Sequence, residues 1–418
     1  MKIITLKSAT RSINAMLNLP GSKSITNRAL LLAALAKGRS QLSNVLKSDD
    51  SLAFMGSLRS LGVTFEEHDT IVVVDGKGKL ESSNNVWCQD AGTAARFLLA
   101  ACSAFPGEFL LDGTQRLRER PLSDLVKVLR MLGANIDQDQ LPCTILGNNL
   151  KGGNIHLDAD KSTQFVSALL MVAPFMQQPL TLVAEHLNRQ AYIEITCQMM
   201  KSFGVDVEVT ANSYHVPLHQ SYHAREYAIE PDLSTASYFF AAAALTAGNI
   251  TVRGINRQRC LQGDIRFLTV LEQMGCQVTA HEHSVTVQGP EQLRGIDVDM
   301  QDFSDPFLTL AAIAPYADSP TRITGLAHTR LQESDRVSAI AAELTKLGVD
   351  VEMGEDWIQI FPGQPKAATV FSHHDHRVAM SLAILALKTP GIQLEHPSCV
   401  AKTCPDFFER IEALLYTV

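Results

Sequence analysis

Two kinds of apolar segment alternate along the chain. The first kind has a polar start and then no polar face: SITNRALLLAALA, AGTAARFLLAACSAF, STQFVSALLMVAPF, STASYFFAAAALTA, SDPFLTLAAIAPYA and DHRVAMSLAILAL. A helix that is apolar all round must be enclosed by protein on every side, so each segment predicts a central helix. The Ser, Thr, Asp or Gly that opens it suits a helix N-terminus. The second kind is amphipathic. In PLSDLVKVLRMLGA, Leu122, Leu125, Val128, Leu129 and Leu132 fall at helical spacing and predict an outer helix.

The outer segments share an ending: LGV at 61–63, LGA at 132–134, FGV at 203–205, MGC at 274–276 and LGV at 347–349. Their glycines, Gly62, Gly133, Gly204, Gly275 and Gly348, follow one another at intervals of 71, 71, 71 and 73 residues. Such a period marks an internal repeat, and each glycine reads as the stop of an outer helix. Strand-like hairpins follow, as in VTFEEHDTIVVVDG and VDVEVTANSYHVP. The repeated unit is therefore a central helix, an outer helix and several strands, present six times, with the last copy cut short near PDFFERIEALL.

At 418 residues the chain exceeds what one core usually supports, so two domains of three units each are expected. Proline and polar residues interrupt the pattern near Asn18 to Gly21 and near Ile229 to Leu233. The expected arrangement is a discontinuous domain of residues 1–19 and 231–418, a continuous domain of residues 20–230, and an active site in the cleft between them.

Composition narrows the function. With a net charge of −8 and no basic tract, the chain is not expected to bind nucleic acid or an anionic membrane. The eight cysteines form no C-x-x-C pair and show no zinc spacing, so they read as buried free thiols of a cytoplasmic protein. No apolar run approaches the length of a membrane span.

Cations nevertheless gather at the helix heads. Lys23 and Arg28 open the first central helix, Arg96 the second, and Arg377 the last; Arg116, Arg118 and Arg120 precede an outer helix, as do Arg330 and Arg336, and Lys402 stands in AKTCPD. Parallel buried helices would present their N-termini on one face, where unpaired N–H groups already favour anions. Full positive charges there predict a site for phosphate or carboxylate. Neither G-x-x-x-x-G-K-[ST] nor G-x-G-x-x-G after a strand is present, so a nucleotide loop is not expected.

The motifs LPGSKSITNRALLLAALA, DAGTAARFLLAA, RLRERP, STQFVSALLM, QGDIRF, the ESDR of RLQESDR, DHRVAM and AKTCPDFFE together resemble the 5-enolpyruvylshikimate-3-phosphate (EPSP) synthase family, collinearly from Leu19 to Glu409. The resemblance implies an α/β fold of two domains, each three βαβαββ repeats with parallel helices buried and sheets outside, an inside-out α/β barrel. It also implies transfer of the enolpyruvyl group of phosphoenolpyruvate to the 5-hydroxyl of shikimate 3-phosphate with release of phosphate. No cofactor or metal is implied, and a monomer is expected.

By the same resemblance, Ser24, Arg28, Ser162, Thr163, Gln164 and Tyr192 would hold shikimate 3-phosphate. Lys23, Gly92, Arg120, Gln164 and Lys402 would surround the phosphate of phosphoenolpyruvate, and Arg336 and Arg377 would grip its carboxylate. Asp90, Thr93, His328, Gln332 and His376 fall among the substrate-contacting positions. Asp305 and Glu333 match the carboxylates that move protons, with Lys23 assisting the departing phosphate. The chain departs from the usual pattern at Asp90, where asparagine is common, at Gln332, where lysine is usual, and at Phe97, His328 and Arg189. These departures bear on substrate affinity and on the response to the family inhibitor glyphosate.

Two other readings stand beside this one. The sister transferase acting on UDP-N-acetylglucosamine typically carries a loop cysteine near the region of RLRERP, and this chain has none there. A non-catalytic anion-binding descendant would account for Gln332 and Asp90, but not for the full set of cations and acids that accompanies them.

Overall fold

A computed structural model of the chain describes residues 2–159, 162–187 and 190–416. The chain forms two compact units, one discontinuous, Met1–Pro20 with Glu230–Val418, and one continuous, Gly21–Ile229. Arg189, one of the positions that depart from the family pattern, lies outside the described residues.

Twelve helices carry the repeats, with inner and outer ones alternating. In the continuous unit these are α1 (Lys23–Leu35), α2 (Asp49–Ser60), α3 (Gly92–Ala104), α4 (Ser123–Met131), α5 (Thr163–Val172) and α6 (Ala191–Ser202). In the discontinuous unit they are α7 (Leu233–Thr246), α8 (Phe267–Gln273), α9 (Phe307–Ile313), α10 (Arg336–Lys346), α11 (His376–Ala386) and α12 (Phe407–Tyr416). The odd-numbered helices are the segments without a polar face. From Ile25 to Leu35 every residue of α1 is buried, as is every residue of α11. Sequestering these helices is the main hydrophobic gain of the fold.

Each inner helix is covered by a small sheet of one design. In the second repeat, strands Ser83–Trp87 and Gly107–Asp112 run parallel on either side of α3 in the sequence. Gly107–Asp112 then pairs antiparallel with Cys143–Gly147, which in turn pairs with Asn135–Ile136. The α5, α7 and α9 repeats follow the same order of one parallel and two antiparallel pairings.

Two sheets are completed from a distance. The α1 repeat takes its parallel edge strand from Glu226–Ala228, and the α7 repeat takes its own from Asn14–Leu17. The shortened last copy has no hairpin, and Ile3–Thr5 pairs antiparallel with Gln393–Glu395 in its place.

The repeat glycines behave as their spacing predicts. Gly62, Gly133, Gly204, Gly275 and Gly348 all lie in the left-handed region, with φ of 87°, 102°, 98°, 99° and 81°. In each case the next residue's N–H reaches back to a carbonyl five positions earlier, as Ala134 does to Leu129 at 2.9 Å and Val349 to Leu344 at 3.0 Å. This is the Schellman closure, and a residue with a Cβ adopts it only under strain. Two inner helices are shorter than their apolar runs. At Pro174 and Pro315 the chain tightens into 3-10 turns, Ala173–Phe175 and Ala314–Tyr316, because proline has no N–H to continue the helical ladder.

Candidate active site

In the continuous unit the heads of the inner helices carry no acid. The residues preceding α1, α3 and α5 are Ser22, Ala91 and Ser162, and none of the three helices has Asp or Glu in its first turn. No carboxylate caps these helices or stands in their first turns, and cations are set among them. Lys23 Nζ lies 3.6 Å from Asp50 Oδ2, in the first turn of α2. Arg28 is almost wholly enclosed: its guanidinium donates to Thr196 Oγ1 at 2.7 Å, Ser24 O at 3.0 Å, Tyr192 O at 3.1 Å and Ser167 Oγ at 3.2 Å. It ties α1 to α5 and α6, and burial pulls its pKa down to about 10, so it stays charged at neutral pH. The ring of Phe97 lies 5.4 Å from the Arg28 guanidinium carbon, which gives this departure from the family pattern a cation–π role.

A second chain of contacts joins α3 to α5. Gln164 donates from Nε2 to Thr93 Oγ1 at 3.1 Å and accepts from Arg96 Nη1 at 2.7 Å. Ser162 caps α5 by accepting from Gln164 N at 3.3 Å, and Thr163 is buried behind it. A methyl group at Gly92 would collide with the Arg120 guanidinium, so this glycine is what lets Arg120 lie over the head of α3. Asp90 accepts a short hydrogen bond from Thr114, which caps the one-turn helix Gln115–Arg118 leading to Arg120. Arg118 itself is held by both oxygens of Asp112, at 2.9 and 2.7 Å.

The discontinuous unit is built differently, because aspartates stand at all three inner heads. Asp232 caps α7, Asp305 precedes Pro306 at the start of α9, and Asp375 caps α11. Arg336, at the start of α10, is buried among them. It donates to Asp375 Oδ2 at 2.8 Å, to Glu333 Oε2 at 2.9 Å and to Asp305 Oδ1 at 3.4 Å, and Gln332 Oε1 accepts a short bond from the same guanidinium. Burial alone would lower its proton affinity, but Asp375, Glu333 and Asp305 together raise it well above the ordinary arginine value. Asp305 is shared, with Arg377 Nη2 donating to its other oxygen at 2.7 Å. Glu333 is shared too, its Oε1 lying 3.7 Å from Lys402 Nζ. His376 Nδ1 lies 3.7 Å from Asp375, and His328 Nε2 is 2.7 Å from Ser304 Oγ, beside Asp305.

The structure thus collects Lys23, Ser24, Arg28, Gly92, Thr93, Arg120, Ser162, Thr163, Gln164 and Tyr192 at or beside the inner heads of one unit. It collects Asp305, His328, Gln332, Glu333, Arg336, His376, Arg377 and Lys402 at those of the other. Arg118 and Arg330 serve loops instead: Arg330 Nη1 holds both carboxylate oxygens of Asp335, at 2.9 and 2.8 Å, much as Asp112 holds Arg118. Reading the residues alone missed Asp50 and Asp375, whose partners Lys23 and Arg336 lie on other helices. Their visible signal is that both stand at helix starts. Among the described residues, no group of three His, Cys, Asp or Glu could hold a metal ion, and no helix is long and apolar enough to cross a membrane.

The chemistry of such a set is that of a protein handling anions and protons. Carboxylates can take up or give a proton, while guanidinium forks and lysines hold phosphates and carboxylates. The fold is one that solved proteins share: the enolpyruvyl transferase NikO from Streptomyces tendae superposes with a TM-score of 0.77 at 18% identity over 99% of this chain and 97% of that one. EPSP synthase from Acinetobacter baumannii superposes with a TM-score of 0.86 at 26% identity, covering 99% of this chain and 98% of that one.

Residues 7–411 match the family described as EPSP synthase (3-phosphoshikimate 1-carboxyvinyltransferase), and this chain belongs to that family. Among its relatives are the 3-phosphoshikimate 1-carboxyvinyltransferase of Trichormus variabilis, 47% identical over 98% of both chains. 3-Phosphoshikimate 1-carboxyvinyltransferase 2 of Halalkalibacterium halodurans is 39% identical over 99% of this chain and 95% of its own length.

Proposed function

We propose that the chain is an enzyme that transfers the enolpyruvyl group of phosphoenolpyruvate to the 5-hydroxyl of shikimate 3-phosphate, releasing inorganic phosphate. The observation that carries this reading is the contrast between the two units: acid-free helix heads with cations in one, and aspartate-bearing heads with buried arginines in the other. The first arrangement suits a phosphate. The second suits a carboxylate together with proton transfer.

In this reading Ser24, Arg28, Ser162, Thr163, Gln164 and Tyr192 hold and shape the site of shikimate 3-phosphate. Arg28 does so from beneath, since its donors already meet protein acceptors. Lys23, Arg120 and Lys402 neutralise the phosphate of phosphoenolpyruvate, with Gly92 and Thr93 lining it, and Arg377 and Arg336 take its carboxylate, for which Arg336 gives up acceptors it now holds, such as Asp305 and Glu333. Asp305 removes the 5-hydroxyl proton as oxygen attacks C2, and Glu333 delivers a proton to C3. Glu333 then takes a proton back from C3 as the C2–O bond to phosphate breaks, the proton taken by Asp305 leaves with the phosphate, and Lys23 balances the charge of the departing group. Both substrates are anions, so the cations must offset their mutual repulsion.

Measuring phosphate release with shikimate 3-phosphate and with UDP-N-acetylglucosamine as acceptors tests the assignment. Turnover is expected with the first alone. Turnover with the second, or with neither, would sink it.

A further inference from the structure

The turn that carries Asp375 is strained. It runs from Ser372 to Asp375, with Asp375 N donating to Ser372 O at 2.9 Å, and both of its central residues, His373 and His374, lie in the left-handed region at φ of 53° and 54°. Turns of this pattern normally place Gly, Asn or Asp there, because a larger side chain crowds the backbone. What holds the turn is α10. Glu343, buried in that helix, accepts from Phe371 N at 3.0 Å and from Lys346 Nζ at 2.9 Å, and His373 Nε2 lies 2.7 Å from its Oε1. Seven residues earlier, and so on the same face two turns away, Arg336 grips the far end of the turn through Asp375 Oδ2 at 2.8 Å. Ser372 Oγ ties the near end to His396 O at 3.2 Å, and Ser334 Oγ donates to Asp375 Oδ2 at 3.1 Å.

We propose that Glu343 and His373 are positioning residues for the reaction: by pinning the turn they keep Asp375 where it aims Arg336. The proposal rests on the reading above, in which Arg336 takes the carboxylate of phosphoenolpyruvate. Asp375 meets the Nε edge of the guanidinium most closely, whereas Asp305, Gln332 and Glu333 meet its Nη groups. When a substrate carboxylate displaces acceptors on the Nη side, Asp375 is the partner that still fixes the fork. A strained backbone persists only while its surroundings hold it, so without the His373 contact the turn relaxes and carries Asp375 away from Arg336. A guanidinium without that fixed edge must give up more rotamer freedom when it binds, and phosphoenolpyruvate is held less tightly. Arg336 meets the carboxylate before and during the reaction alike, so the loss falls on the KM for phosphoenolpyruvate and not on kcat.

The test is steady-state kinetics and thermal melting of the native protein and five variants. His373→Leu keeps the bulk but loses the nitrogen at Glu343, and the KM for phosphoenolpyruvate should rise about tenfold, with kcat and the KM for shikimate 3-phosphate within about threefold of native. Glu343→Gln sets an amide against one of the donors and should raise the same KM. His373→Gln, whose Nε2 can again reach the carboxylate, should bring that KM back to within about threefold of native. His373→Gly removes the contact yet eases the left-handed backbone, so it should show the raised KM while melting no lower than His373→Leu. It decides the matter if His373→Leu does not fold. An unchanged KM for phosphoenolpyruvate in His373→Leu, His373→Gly or Glu343→Gln, no recovery in His373→Gln, or kcat and both KM values shifting in step with the melting temperature would overturn the proposal. Arg336→Lys separates the two ideas. If it leaves the KM for phosphoenolpyruvate unchanged, the carboxylate is assigned to the wrong cation; if it raises that KM while His373→Leu does not, the role of Glu343 and His373 alone fails.

Discussion

Glu333 and Asp305 reach the same guanidinium, yet their second partners differ: Lys402 for the glutamate, Arg377 for the aspartate. Each carboxylate is thus held by two cations from different elements, which fixes where it is aimed. Replacing Glu333 by alanine should lower kcat by ~10²-fold or more while shikimate 3-phosphate still binds, as expected for a lost proton carrier. Calorimetric binding together with near-native turnover would remove Glu333 from the mechanism. Gln332, where the family usually has lysine, accepts from Arg336 and so supports the guanidinium without adding charge. At Gly92 the relevant contact is steric. Gly92→Ala forces the far end of Arg120 aside, and the KM for phosphoenolpyruvate should rise about tenfold, equivalent to about 1.4 kcal/mol. An unaltered KM would mean that Arg120 does not meet this substrate.

At the scale of elements, inner and outer helices divide the labour. Outer helices α2, α4 and α6 carry acids in their first turns, Asp49 and Asp50, Asp124 and Glu194, and α2, α4, α6, α8 and α10 end on left-handed glycines. Inner helices have no acidic first turn. The closures can be probed without touching the candidate site. Gly348, at φ of 81°, should lose about 1 kcal/mol of stability on substitution by alanine. Gly363→Ala is the control, since an added methyl there meets nothing within 4 Å and its change should stay within about 0.5 kcal/mol. Equal denaturation midpoints for the two variants would contradict the capping argument.

At the scale of the molecule, the six copies of the repeat build two compact units, one discontinuous and one continuous. The repeats, the alternation of helix types and the glycine stops were legible in the chain because helical periodicity and left-handed caps are local constraints, set by neighbours along the sequence. The cations were legible as a group for the same reason: they sit at recognisable helix starts. What stayed hidden were partnerships made between elements. Asp50 of α2 meets Lys23 of α1, Asp375 before α11 meets Arg336 of α10, and Asp264 meets Ser234 of α7 only once the inner helices pack against the segments around them. Likewise, nothing local distinguishes Arg118, held by Asp112, from Arg120, which lies over Gly92. The sequence by itself determined which segments must be buried and where each helix begins and stops. Only the tertiary structure decided which charges face one another, because the strength of an ionic contact depends on distance and burial, and both are set by packing between residues far apart in the chain.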